Sequence, residues 1–107
     1  MNEIEKLYKN AGVELVTDVK FPTKDVNYNV SYPPFTADKQ LAILQLLTQQ
    51  CDLTISHFTE WEFIHFDGQE PLEITGKDFT ETFAKLVNAY WQNLTEEEKE
   101  QVKGILE

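Results

Sequence analysis

The chain has 107 residues, of which 41% are apolar and 12% aromatic, and its formal net charge is −10. A chain of this length forms one domain that buries about two thirds of its extended surface, so a hydrophobic core can hold it without disulfides. The acidic balance and the absence of arginine argue against direct nucleic-acid binding, because that binding depends on cations that neutralise phosphates.

The sequence predicts a cytoplasmic protein without a membrane segment. Cys51 is the single cysteine and cannot form an internal disulfide, which is typical of a reducing compartment. The residues after Met1 are charged rather than apolar, which indicates no signal peptide. No stretch approaches the roughly 18 consecutive apolar residues of a membrane-spanning helix.

The first predicted helix begins after Asn2, which Glu5 follows three residues later as in a capping box. Apolar residues recur at helical spacing as far as Gly12, which is suited to a left-handed helix end. In the next segment, residues 13–32, apolar and polar residues alternate toward the end. This alternation predicts at least one strand, and a long ordered loop is the alternative.

Residues 32–47 predict a helix at the centre of the core. Two prolines give an extended approach, Thr36 is suited to cap the helix, and Asp38 lies where the helix dipole favours an anion. The apolar residues of this helix cover well over a third of its circumference: Leu41, Ile43, Leu44, Leu46 and Leu47. A helix this apolar is covered on most sides by the rest of a protein.

Three strand-like segments follow, LTISHF, EWEFIHF and EPLEIT. Asp67 and Gly68 form a strong hairpin-turn signal between the second and third segments. The second segment is apolar on both faces, which is typical of a central strand. Pro71 places the third segment at a sheet edge, because proline cannot donate a backbone hydrogen bond.

Two more helices are predicted in the C-terminal third. Asp78 and Glu81 open the first, which extends to about Asn93, and Thr95 with Glu98 opens the second in a capping-box pattern. We therefore expect a single α+β domain over residues 1–107. Its small antiparallel sheet of about three to four strands packs against three to four helices.

The two histidines and Cys51 are the candidates for chemistry. His57 and His65 share one strand face if the register is continuous, and imidazole with carboxylate suits zinc or iron. No metal-binding spacing such as C-x-x-C or H-E-x-x-H accompanies them, and nothing in the sequence places a base beside Cys51. We predict a protein that is not an enzyme and needs no cofactor, with a metal-dependent enzyme using both histidines as the weaker alternative.

Negative charge is concentrated in the second half of the chain, since residues 1–50 carry a net −1 and residues 51–107 a net −9. We predict that carboxylates of this half form a surface that steers a basic partner, with one aromatic side chain beside them. The alternative is a set of helix-start and surface carboxylates with no common target. The predicted partner-binding residues are Asp67, Glu70, Glu73, Asp78, Glu81, Glu96, Glu97, Glu98, Glu100 and Trp91.

Three segments, EIEKLYKNAGV, YPPFTADKQLAILQLL and KDFTETFAKLVNAYWQNLTEEEKEQVKGILE, cover a little over half of the chain. They resemble a group of small accessory proteins encoded by phages and prophages of Gram-positive bacteria. The resemblance implies binding to a host protein, as by inhibitors that occlude the nucleic-acid groove of restriction or CRISPR nucleases. We expect a non-enzymatic acidic protein that inhibits or modulates such a host protein. A structural or assembly adaptor acting as a homodimer through an aromatic patch is the alternative.

Overall fold

The helices begin where a capping side chain precedes the apolar sequence. The computed structural model describes residues 2–19, 28–49, 52–66, 68 and 70–107. Within these residues there are four α-helices, with a short 3-10 turn at Trp91–Asn93. The helices are α1 (Glu3–Ala11), α2 (Ala37–Thr48), α3 (Phe79–Tyr90) and α4 (Glu96–Leu106).

Each helix start is stabilised by the side chain immediately before it. The four caps accept a hydrogen bond from the backbone N–H three residues later, and they are Asn2, Thr36, Asp78 and Thr95. Such caps satisfy amides that have no partner within the helix. Gly12 ends α1 in the left-handed conformation, with φ of 78°. The predicted helix starts are confirmed.

The described strands form two antiparallel sheets. β1 (Val16–Val19) pairs with β2 (Tyr28–Ser31), which confirms the prediction of a strand in this part of the chain. β3 (Asp52–His57), β4 (Trp61–Phe66) and β5 (Leu72–Gly76) form the second sheet, with β4 in the middle. Together with the four helices, this sheet gives the α+β fold that the sequence predicts.

The pairing register divides the three-stranded sheet into two faces. Trp61, Phe63 and His65 of β4 lie on the inner face, which packs against α3. Because successive strand residues point to opposite faces, the intervening residues form the outer face. The outer-face residues are Asp52, Thr54, Ser56, Glu62, Ile64, Phe66, Glu73 and Thr75.

α3 is the element around which the core is built. It packs against α1, β4 and β5, and its Phe83, Leu86 and Val87 side chains are almost fully buried. α2 packs against α4, and its Leu41 side chain is 53% exposed. The prediction that residues 32–47 form the centre of the core is therefore wrong, because α2 buries a single stripe. That stripe consists of Ile43, Leu46 and Leu47.

Tyr8 holds α1 in the core through its aromatic ring. The ring stacks on Tyr32 with centroids 5.1 Å apart and meets the edge of Phe35 at 6.2 Å. Burial raises the pKa of the Tyr8 hydroxyl to about 12. Among the described residues the Tyr8 hydroxyl has no hydrogen-bond partner. The ring therefore stabilises this part of the core, whereas the hydroxyl does not.

Gly76 lets the start of α3 approach the sheet closely. The Thr82 hydroxyl donates a hydrogen bond to the backbone oxygen of Asp78 at 2.5 Å. The Thr82 side chain fills the space that a Cβ atom at position 76 would occupy. A residue larger than glycine at the end of β5 would push α3 away from the sheet.

Two residues with predicted roles, Cys51 and Asp67, lie outside the described residues, so those roles stay predictions. In the part of the chain that the structure describes, no helix has the length and apolar character needed to cross a membrane.

Candidate protein-docking surface

The outer face of the three-stranded sheet carries a carboxylate from every strand. Asp52, Glu62 and Glu73 belong to β3, β4 and β5, and Glu60 lies in the turn between β3 and β4. Together these four residues form the acidic sheet surface. Residues 52–76 contain six acidic residues and neither lysine nor arginine, and Lys77 is the first cation that follows them.

Glu62 and Glu73 are neighbours on this surface. Thr75 lies opposite Glu62, and Glu73 lies opposite Ile64, so the two glutamates are diagonal neighbours across β4 and β5. A hydrogen bond with the Glu73 side chain raises the pKa of Glu62. Desolvation and the negative charges of Glu73 and Glu60 raise this pKa further. An approaching cation would relieve this repulsion, which makes the surface suited to a positively charged partner.

β3 forms an open edge of the sheet. It pairs with β4 residue by residue, from Asp52 opposite Phe66 to His57 opposite Trp61. No strand pairs with its other side in the part of the chain that the structure describes. Five of the six β3 residues are exposed, and the strand contains no lysine or proline, which often block sheet edges. This edge is therefore available to another strand.

Two large exposed apolar side chains lie at the open edge of β3. Phe58 follows β3 directly, and its side chain is 93% exposed. Ile55, on the inner face of β3, is 37% exposed, because α3 packs against β4 and β5 rather than against β3. Exposed aromatic and apolar side chains at a sheet edge are suited to contact another molecule, where such residues contribute much of the binding energy.

Glu98 is a structural residue. It is buried, and its Oε1 accepts a hydrogen bond from the Thr95 backbone N–H at 2.9 Å. The Thr95 hydroxyl accepts a hydrogen bond from the Glu98 backbone N–H at 3.2 Å, which completes a capping box. The prediction that Glu98 belongs to a docking surface is therefore wrong, because its carboxylate caps α4 inside the fold.

The remaining acidic residues of α4 lie apart from the acidic sheet surface. Glu96, Glu97 and Glu100 are exposed, and Glu96 lies 3.5 Å from the Lys99 ammonium group. α4 packs against α1 and α2, whereas the sheet packs against α3. The predicted carboxylates are thus divided between two regions of the molecule, and lysines of α4 offset part of the charge in one of them.

Asp78 and Glu81 join α3 to α1. The Asp78 Oδ2 atom accepts a hydrogen bond from the Glu81 backbone N–H at 2.8 Å. Glu81 Oε1 accepts one at 2.6 Å from the backbone N–H of Glu3, 78 positions away. Asn88 completes the connection by donating to the backbone oxygen of Glu3 at 2.8 Å. Both carboxylates therefore have structural roles in capping and in helix packing.

Trp91 is buried rather than exposed. Its side chain is 8% exposed, and that of the preceding Tyr90 is 5% exposed. The chain enters a 3-10 turn directly after α3, and both rings lie in the core. The prediction of Trp91 as a contact residue is therefore wrong. The homodimer alternative stays a prediction.

The two histidines share the inner sheet face, as their spacing predicts, but they occupy opposite ends of the β3–β4 pair. His57 lies opposite Trp61, and His65 lies four positions along β4 from Trp61, a separation of about 13 Å. His57 packs on the Trp61 ring, and buried His65 packs on the Tyr90 ring. The pair therefore cannot bind one metal ion together. Among the described residues, no group of three or more His, Cys, Asp or Glu side chains is placed to hold a metal.

Sequence reasoning found part of the acidic sheet surface and missed the rest. Glu73 was predicted, and Glu70, also predicted, is exposed in the connection between β4 and β5. Asp52, Glu60 and Glu62 were missed. The alternation of β4 assigns Glu62 to the face opposite Trp61, but its proximity to Glu73 depends on the β4–β5 register.

No family model, curated protein or solved structure matches the chain. The resemblance to phage accessory proteins therefore stays a prediction.

Proposed function

We propose that this chain is a non-enzymatic binding protein that docks on a basic protein through the acidic sheet surface. The observation that carries the proposal is the diagonal placement of Glu62 and Glu73 across β4 and β5, in a segment without lysine or arginine. Carboxylates held close together attract positive charge. Complementary charge of this kind accelerates association and selects the partner.

The sheet is better suited to this role than α4. On α4, Lys99 lies 3.5 Å from Glu96, and Lys103 lies 3.9 Å from Glu107, so the helix neutralises part of its own charge. Residues 52–76 contain no lysine that could do the same. Among the described residues no ion pair involves Glu60, Glu62 or Glu73, although Lys77 directly follows β5, so the acidic sheet surface offers a partner carboxylates without a paired lysine.

The kind of partner follows from the charge and from the sequence resemblance. A protein that binds nucleic acid has a basic groove, because it must neutralise phosphates. An acidic protein seated on such a groove would block it. We propose a host nucleic-acid-binding protein, such as a restriction or CRISPR nuclease, as the partner that is inhibited or modulated.

Two variants with the same change in net charge test this proposal. In the sheet variant, glutamine replaces Glu60, Glu62 and Glu73. In the α4 variant, glutamine replaces Glu96, Glu97 and Glu100. Each protein is used to capture proteins from a lysate of a Gram-positive bacterium. A captured protein is then identified and purified, and its dissociation constant is measured at low and high salt.

We expect the native protein and the α4 variant to bind the same basic protein, with affinity that falls as salt is added. The sheet variant should bind it at least about tenfold more weakly, a difference of about 1.4 kcal/mol. Thermal unfolding of all three proteins controls for damage to the fold. Equal affinity of the sheet variant and the native protein, or binding that salt does not weaken, would contradict the proposal.

A further inference from the structure

Docking by charge alone does not involve the open edge of β3. In an antiparallel sheet, alternate residues of an edge strand direct their backbone N–H and C=O groups away from the paired strand. The β3–β4 pairing is continuous over all six residues of β3, so these groups form a regular row. The other edge, β5, is shorter and follows directly after Pro71. β3 is therefore the edge that a further strand would join.

The negative charge of the chain determines which kind of strand can join β3. A second copy of the chain would bring a net charge of −10 to a surface that is itself acidic, and like charges oppose association. An extended segment rich in lysine or arginine would instead place cations beside the acidic sheet surface. The exposed Ile55 on the inner face would be covered by an apolar side chain of the same segment.

We infer that β3 binds an extended basic segment of a partner protein as a fourth strand of the sheet, an inference that rests on the proposed function. Backbone hydrogen bonds along β3 supply affinity that does not depend on sequence. Because side chains alternate between faces, the segment presents basic residues on the outer face, where Asp52 lies on β3 and Glu62 on the next strand, and apolar residues to Ile55. Phe58 lies beyond the end of β3 and contacts the end of the segment.

A pair of peptides tests this inference on the intact protein. The probe is a peptide of about seven residues, a usual strand length, in which lysine and valine alternate. The matched control has the same sequence and charge but carries a methyl group on every backbone nitrogen, so that neither of its edges can donate a hydrogen bond to β3. Binding and amide hydrogen exchange of residues 52–57 are followed by NMR for each peptide.

We expect the unmodified peptide to bind at least about tenfold more tightly than the methylated one. It should also slow hydrogen exchange at alternate amides of β3. Equal binding of both peptides, with shifts confined to the acidic sheet surface, would overturn strand addition while leaving docking by charge intact. If neither peptide binds, strand addition is also overturned. The proposed function would then be tested separately by the sheet and α4 variants described above. Protection of β3 that rises with protein concentration, without peptide, would assign the edge to a second copy and overturn the inference.

Discussion

Glu62 and Glu73 lie diagonally across β4 and β5 on the outer face of the sheet, so that two carboxylates are close neighbours. A hydrogen bond with the Glu73 side chain, desolvation and the negative charges of Glu73 and Glu60 raise the pKa of Glu62, because each favours its protonated form. Proteins rarely place like charges side by side without compensation, and such perturbed groups cluster at functional sites. The same two carboxylates therefore affect both the stability of the sheet and its proposed function.

Replacing Glu62 by glutamine should stabilise the protein at neutral pH. The raised pKa means that the folded chain binds this proton more tightly than the unfolded chain, so stability falls as pH rises through the pKa of Glu62. The Glu62→Gln variant lacks this loss. Its melting temperature should exceed that of the native protein at pH 7, and the difference should vanish below about pH 4, where carboxyl groups are protonated in both states.

Glu97→Gln is the matched control for this pH series, because it removes one exposed carboxylate from the first turn of α4. Glu97 favours the helix through its dipole, so its removal should not raise the melting temperature. A Glu62→Gln variant no more stable than the native protein at pH 7 would show that the contact with Glu73 is not repulsive.

Replacing Tyr8 by phenylalanine should maintain or increase stability. The ring contacts with Tyr32 and Phe35 remain, and the variant loses a buried hydroxyl that has no partner among the described residues. A buried donor without a partner costs about 1–3 kcal/mol, which sets the upper limit of the gain measured by urea unfolding at pH 7.

The same substitution should change the response to alkaline pH. Burial raises the pKa of Tyr8 to about 12, so its contribution to stability is complete below about pH 10 and is lost as pH rises toward 12. The Tyr8→Phe variant should therefore lose less stability than the native protein as the pH rises from about 10 to about 12. A decrease of more than about 1 kcal/mol at pH 7 would instead reveal a hydrogen-bond partner outside the described residues.

Glu98→Ala should destabilise the protein by about 1 kcal/mol, because the Thr95 backbone N–H loses its acceptor. Glu98→Gln should retain most of the stability, since glutamine also completes a capping box. Glu100→Ala, at an exposed position of the same helix, should stay within about 0.5 kcal/mol of the native protein. Chemical denaturation measures all three, and equal losses at positions 98 and 100 would contradict the structural role of Glu98.

Two leucines of α2 should respond differently to the same truncation. Leu47 is almost fully buried, so Leu47→Ala should cost about 2–5 kcal/mol. Leu41 is 53% exposed, and Leu41→Ala should cost less than about 1 kcal/mol. Denaturant midpoints of the two variants test whether α2 buries one stripe. Similar losses would indicate that α2 is covered on both sides.

Phe58→Ala should weaken partner binding without loss of stability. The ring is 93% exposed, so its removal should change the free energy of unfolding by less than about 0.5 kcal/mol. At an interface, truncation of an aromatic anchor typically costs 2 kcal/mol or about thirtyfold in affinity. Calorimetry with the captured partner measures the loss, and Thr59→Ala, at the next exposed position, is the control.

Local chemistry was sufficient to predict the helix starts and the central strand. Asn2, Asp78 and Thr95 each act within one helical turn, so their roles are readable from adjacent sequence. The period-two pattern of β4 likewise follows from strand geometry alone. For the same reason, the α+β fold class and the edge position of the strand after Pro71 were predictable.

The arrangement of the carboxylates was decided by contacts between residues distant in sequence. Glu81 meets Glu3 across 78 positions, and Glu62 meets Glu73 through the pairing of β4 with β5. Glu98 and Trp91 resemble surface residues when read alone, yet the packing of α3 and α4 buries both. Charge and hydrophobic pattern are properties of the chain, whereas a shared surface is a property of register and packing. The sequence by itself therefore specified an acidic α+β domain, and the tertiary structure decided that the sheet presents its charge outward beside β3, which has no second partner strand among the described residues.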